Sequence, residues 1–446
     1  MGTETECPPE VPQLQRSLKL WHLIVYGIII IQPTAPMGIY GVVSNIARGH
    51  VATTILIAMV AMLFTAISYG RMARVYPRAG SAFTYVTEEL NPKLGYIVGW
   101  AMLMDYLLNP IICVIWCSQA ARNVVPAVPY AFWVVCFALL STYLNTRGVQ
   151  TSGRFNAILS IAMSLVVVLF LGEGVRYILS TVHPSSHDLI RPFYDPATFS
   201  TTTVFRGASV AVLTYIGFDG ISTMAEEVEN PRRNILFATV FTCLIIGILS
   251  MVQVYIAQLA WPATQPFPPF MVDTAFVHVA ARVGGTFLFQ LLNGTLLVAN
   301  MGSAIAAQFG ASRLMYSMGR DNSLPPRFFG AIHPRHHVPR NNVLLVGAIA
   351  LAGAFLLTYE QGAELLNFGA FIAFIGVNAA ALVHYKFRSQ DNVKFPLLIP
   401  ALGIVVCLFI WIHLSRSAQI LGVLWIGVGL LIAWFMRRSM KHDVES

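Results

Sequence analysis

The stretch GIIIIQPTAPMGIYG, Gly27 to Gly41, lies inside the first long apolar run and decides how the whole chain is read. That run begins at Leu20, so Gln32, Pro33 and Thr34 fall roughly 18–21 Å along a helix rising 1.5 Å per residue, just past a bilayer midplane. Proline removes a backbone donor and clashes with the preceding turn, so Pro33 and Pro36 predict a break there. Irregular backbone at that depth survives only where protein or a polar cavity surrounds it. A second apolar run carries a matching interruption, TYIGFDG, Thr214 to Gly220, with two glycines and an aspartate. Two broken spans in corresponding positions of two halves are the sequence mark of a secondary transporter's binding site.

Working outward, 56% of the 446 residues are hydrophobic and only 11% are charged. Soluble proteins carry about 25% charged residues. Splitting the apolar runs at glycine, proline and charge clusters predicts spans at 20–44, 50–73, 94–121, 129–146, 155–179, 203–225, 234–260, 284–315, 342–358, 363–386, 395–415 and 418–436. The fold class is therefore an all-α polytopic membrane protein with about 12 transmembrane helices. Short alternating strands of a β-barrel are not seen. Five spans separate the two breaks, and an odd number inverts the second unit in the membrane. Ala82-Phe83 before span three and Ala275-Phe276 before span eight, each followed by a valine three residues on, repeat a short pattern on opposite faces.

With the N-terminus inside, 21 of the 28 Lys and Arg residues fall on inside segments and 7 on outside ones. This positive-inside asymmetry predicts both termini in the cytoplasm and accounts for the net charge of +8 without a nucleic-acid partner. The first 19 residues lack the basic start, short apolar core and cleavage site of a signal peptide. Of six cysteines all but Cys7 lie in apolar runs, so neither a disulfide framework nor a zinc site is indicated, and no cofactor is expected. The spacing of His333, His336 and His337 fits a solvated loop, not a metal site. No nucleotide loop, nucleophile elbow or metal cluster points to a pump or an enzyme.

Three segments carry a family resemblance: YPRAGSAFTYV at 76–86, YIGFDGISTMAEEVENPRRNI at 215–235 and RLMYSMGRDNSLPPRFFGAIHP at 313–334. With them the chain resembles the amino acid–polyamine–organocation transporter superfamily from Trp21 to about Arg438. GWAMLMDYL at 99–107, GFDGIS at 217–222 and the QP of span one are most similar to bacterial putrescine importers. The resemblance implies a five-plus-five inverted-repeat (LeuT-like) fold with two additional C-terminal helices and proton-coupled uptake at a cytoplasmic (inner) membrane. It divides the chain into a tail (1–19), a transport core (20–386, repeats about 20–179 and 203–386), spans eleven and twelve (387–436) and a second tail (437–446). Relatives hold a substrate carboxylate on a glycine-rich break in span one, but Pro33 and Pro36 have no N–H and make a poorer anion nest. Met163 stands where some relatives place a buried lysine, and Leu213 where many place an aromatic gate.

Only two acids fall deep inside spans, Asp105 and Asp219. A charge at a helix centre costs about 2.5–3.5 kcal/mol on insertion scales, which marks a function or a specific structural partner. Asp105, beside Tyr106, suits an ammonium group; Asp219 is read either as a cap for the second half of span six or as a proton site. Both are proton-coupling candidates. The expected substrate site comprises Gln32, Pro33, Thr34, Asp105, Tyr106, Tyr215, Ile216, Gly217, Phe218 and Asp219. Glu226, Glu227, Arg232 and Arg233 are gate candidates at the inner mouth. These residues point to a small organic cation, putrescine first, as the small-molecule substrate, with H+ as coupling ion. The rivals are an amino acid permease and a ligand sensor on a transporter scaffold.

Overall fold

The first apolar run folds as two helices, Leu20–Ile31 and Ala35–Ile46, bent by 47° across Gln32 to Thr34. The computed structural model describes residues 18–77, 81–148, 153–225, 227–262, 265–320, 324–334, 336–388 and 395–445. Only one of the two prolines breaks the helix. Gln32 takes a positive φ of 71° and Pro33 follows it, whereas Pro36 sits in the first turn of the second half-helix. There a missing N–H costs nothing, because first-turn donors have no intrahelical acceptor.

The remaining spans are Val51–Val75, Pro92–Val124, Tyr130–Thr146, Gly153–Tyr177, the broken sixth beginning at Thr201–Ala211, Pro231–Ala260, the eighth within Ala275–Arg320, Arg340–Leu356, Tyr359–Phe387, Leu398–Ile412 and Arg416–Glu445. Eight helices are long and apolar enough to cross a bilayer alone, the bent pair makes a ninth, and three shorter apolar helices complete twelve among the described residues. The eighth is not one continuous helix. Gly285, at φ 65°, turns the chain, so Ala275 to Val283 form a separate segment ahead of the span. The nine-residue helix Ser81–Glu89 stands in the same position ahead of span three. The Ala-Phe pairs of the two repeats open these two equivalent pieces.

Spans two and seven lie in close contact beside the broken pair. Gly70 lets them meet: a Cβ there would come within 2.5 Å of the Leu236 backbone. Thr239 Oγ1 donates across to the Ala66 carbonyl at 3.2 Å. Small residues at such crossings allow the dispersion contacts that hold helices together in lipid. Span twelve is pinned to span three by reciprocal bonds. Trp100 Nε1 donates to the Trp425 carbonyl at 2.9 Å, Trp425 Nε1 donates to the Trp100 carbonyl at 3.0 Å, and the rings stack at 4.9 Å.

Candidate functional site

Span six loses its α-helical geometry where the glycines predict. Thr201–Ala211 tightens into a 3-10 turn over Val212–Tyr215, Ile216 is extended, Gly217 takes φ 116°, and a second 3-10 turn runs Phe218–Met224. Gly217 is required twice over. Its φ is left-handed, and a Cβ would lie 2.7 Å from Ile30 of span one. The two breaks therefore touch, and their loosened backbone faces one cavity.

That half-open cavity holds about 460 Å³. The first half of span one gives it Tyr26, Ile29, Ile30 and Gln32; span three gives Asp105, Tyr106 and Asn109. Leu159 and Met163 of span five, Ile216 and Gly217 of the second break, and a small-residue face of span eight around Gly302 and Ser303 complete it. Asp105 accepts no hydrogen bond from any described residue, and no Lys, Arg or His lines the space. Ser303 Oγ donates to Asn109 Oδ1 at 3.2 Å, one helical turn beyond Asp105. A constriction of about 10 Å³, room for at most one water, lies between Asp105 and Asp219. Both carboxylates border this constriction.

Of the residues expected at the site, Gln32, Asp105, Tyr106, Ile216 and Gly217 line the cavity, and Asp219 lines the constriction. Pro33 and Thr34 support it from behind. Gln253 of span seven, fully buried, donates to the Pro33 carbonyl at 3.0 Å, and Thr34 Oγ1 donates to Met163 Sδ at 3.3 Å. Tyr215 and Phe218 are corrections: both are core residues. The Tyr215 hydroxyl donates to the Ile55 carbonyl at 2.9 Å, and the Phe218 ring is wedged 5.5 Å from both Tyr69 and Phe374. Asp219 sits in the first turn of the second half and its carboxylate serves backbone N–H groups there. Gly217 occupies the N-cap position itself, and the Asp219 carboxylate folds back to accept the Gly217 N–H at 3.2 Å.

Among the gate candidates Glu226 lies outside the described residues. No ion pair joins Glu227 to Arg232 or Arg233 among the described residues; Arg233 instead lies 5.7 Å over the Phe237 ring. The contact at this mouth is made by backbone. Leu18 N–H donates to the Glu227 carbonyl at 3.1 Å and Glu229 N–H to the Leu18 carbonyl at 2.9 Å, clasping the start of span one to the end of span six.

The opposite side of the breaks is sealed. Tyr40 of the second half-helix meets Phe276 at 5.4 Å and Phe267 at 5.9 Å, and Phe170 closes on Phe276 at 4.5 Å. Gly41 lies so close to the turn before span eight that a Cβ would fall 2.1 Å from the Val272 carbonyl oxygen. Sequence reading missed this seal, because it is built from residues far apart in the chain. It also missed Asn109, although i to i+4 spacing places it on the face of Asp105.

Gln253→Leu is expected to lower the thermal unfolding midpoint, because it strands the Pro33 carbonyl at a cost of about 1–3 kcal/mol. A thermal scan of the detergent-purified variant checks this. An unchanged midpoint would mean that the break needs no support from span seven.

A helical bundle with two touching breaks, a cavity at their junction and a seal on one side defines a membrane transporter of the inverted-repeat class. A family model described as Amino acid permease matches residues 22–441, and the chain belongs to that family; it is a permease and not an enzyme. It is 32% identical to the low-affinity putrescine importer PlaP of Escherichia coli (strain K12), over 97% of this chain and 96% of that one. It is also 26% identical to the branched-chain amino acid permease BcaP of Bacillus subtilis (strain 168), over 96% of this chain and 94% of the relative. The methylthioribose transporter of the same organism is 25% identical, over 97% and 95% respectively.

Proposed function

We propose that this permease imports a small diamine, putrescine first, by alternating access around the breaks of spans one and six. The observation that carries this reading is Asp105, an unpartnered carboxylate facing a cavity lined by no basic residue. An ammonium group is the natural partner, and Asn109, Ser303 and the loosened backbone at Ile216 offer acceptors for the second amine. The span-one break argues against a substrate carboxylate. Pro33 and Pro36 lack an N–H, Gln32 N–H is spent on the Ile28 carbonyl and Ala35 N–H on the Gln32 carbonyl. From Gln32 to Pro36, the Thr34 N–H alone is left without a partner among the described residues.

The positive-inside count supports a cytoplasmic face at the clasp, and on that orientation the cavity is that of an inward-facing state with its outer side sealed. Moving a dication inward gains about 4.6 kcal/mol per 100 mV, at 2.3 per charge, so voltage alone drives accumulation. A proton on Asp219 provides the coupling: it binds from the outside together with the amine, leaves Asp105 as the one charged carboxylate facing the ammonium group, and is released inside with the substrate. Amino acid transport is the second reading, favoured by the likeness to BcaP.

Proteoliposome uptake of labelled putrescine under imposed voltage and pH gradients tests the proposal, with leucine and alanine as competitors. Saturable uptake stimulated by an inside-negative potential and inhibited only by amines supports it; competition by amino acids alone overturns it. In the same assay Asp219→Asn is expected to keep voltage-driven uptake and lose the response to an inward proton gradient. A variant that still responds would remove Asp219 from the coupling.

A further inference from the structure

On the sealed face, away from the transport cavity, two unlike spaces share a wall. The first is a polar cavity of about 420 Å³ to which Arg48, Arg191 and Arg282 contribute. The second is a groove of about 440 Å³ between the ends of spans five and seven, lined by apolar side chains such as Val175, Leu179, Met251 and Val252. The chain that ends span five divides them. Tyr177 and Thr181 face the polar cavity, Ile178 and Leu179 face the groove, and Leu259 of span seven borders both.

The charges of the polar cavity are unevenly spent. Arg191 is held by Asp195 at 3.1 Å and Asp188 at 3.8 Å, which accounts for both acids of the lining. Among the described residues Arg282 meets only neutral groups: the Tyr177 hydroxyl at 3.3 Å, the Gln265 side-chain oxygen at 3.2 Å and the Trp261 ring at 5.1 Å. Arg48 forms no ion pair among the described residues. Two guanidinium groups therefore remain for an anion. In the groove the one hydroxyl, that of Tyr255, is turned to the Leu189 carbonyl at 3.1 Å, so nothing polar greets an occupant. Leu179 on the shared wall is exposed, as are Leu189, Ile190 and Tyr194 in the segment that follows span five, the apolar and aromatic side chains expected where a protein meets the headgroup layer.

We infer that this paired site binds one phospholipid of the adjoining leaflet, its phosphate between Arg48 and Arg282 and one acyl chain in the groove of spans five and seven. Arginine forks match phosphate oxygens, and an apolar groove at membrane depth takes hydrocarbon. A soluble anion would use the first space and ignore the second; an uncharged lipid would do the reverse. The bound lipid would brace the end of span five, the helix whose Phe170 meets Phe276 in the seal.

Native mass spectrometry of the purified protein titrated with phosphatidylglycerol, diacylglycerol and inorganic phosphate tests this. One phosphatidylglycerol should be retained in preference to diacylglycerol. Retention should fall at least tenfold both in the doubly substituted Arg48→Ala, Arg282→Ala protein and in Val252→Trp, which fills the groove. Val252→Trp keeps both arginines, so misfolding of the arginine variant does not leave the question open. Equal retention of diacylglycerol, displacement of the lipid by inorganic phosphate, or indifference to either change would overturn the inference.

Discussion

Asp105→Asn is expected to reduce putrescine uptake by between about thirtyfold and several thousandfold while leaving the protein as stable as the parent or more so. Removing one partner of a desolvated charge pair costs about 2–5 kcal/mol, and each 1.4 kcal/mol is a factor of ten. The asparagine keeps the size of the aspartate and its hydrogen-bonding oxygen, so only the charge is lost. The stability arm separates the readings of the residue. A structural carboxylate would be missed by the fold, whereas Asp105 accepts no hydrogen bond from a described residue, so the fold loses no contact when the carboxylate becomes an amide. Asp105→Glu should retain part of the activity with a raised KM. Uptake and thermal melting of the three proteins, measured side by side, check both arms; wild-type uptake by the asparagine variant would end the assignment.

The second large effect belongs to Gly41, far from any charge. In the sealed state its α-carbon is pressed on the Val272 carbonyl, and the Cβ of Gly41→Ala would stand 2.1 Å from that oxygen and 2.5 Å from Ala275 Cβ. The opposing atoms include backbone of a turn tied to span three through Asn123 Nδ2 and Thr274 Oγ1 at 2.9 Å, so relief requires the seal to part. Overpacking of this kind costs about 1–3 kcal/mol, which shifts the balance toward the state with the seal open by roughly fivefold to more than a hundredfold. Turnover should fall accordingly while putrescine still binds. A cysteine placed at the buried Thr274 should react faster with an impermeant maleimide in Gly41→Ala than in the parent. Equal rates would show that the seal tolerates a methyl group.

Much of this arrangement was legible in the residues themselves. Both breaks announce themselves because proline and glycine disrupt helices for local reasons, and twelve apolar runs are long enough to read without tertiary context. Asp105 stood out because charge is costly at that depth. What failed was direction. Tyr215 and Phe218 adjoin the second break, yet the left-handed turn at Gly217 sends Ile216 and Asp219 toward the cavity and constriction and both aromatic rings into the core. A break in a helix gives no periodicity from which to read a face. Pro36 starts the second half-helix for a related reason: a small shift in register separates a helix breaker from a helix starter. The far-side seal needs Tyr40, Phe170, Phe267 and Phe276 together, and no local pattern links them.

On the proposed function the cavity at the two breaks recognises an amine by charge and refuses a carboxylate. Calorimetric binding of putrescine and of 4-aminobutanoate to the purified protein tests it most directly, because the two ligands share a four-carbon chain and differ only at one end. Putrescine should bind saturably to the parent and not measurably to Asp105→Asn, with 4-aminobutanoate at least tenfold weaker on the parent. Tighter binding of 4-aminobutanoate, or putrescine binding unchanged by the loss of the Asp105 charge, would contradict it.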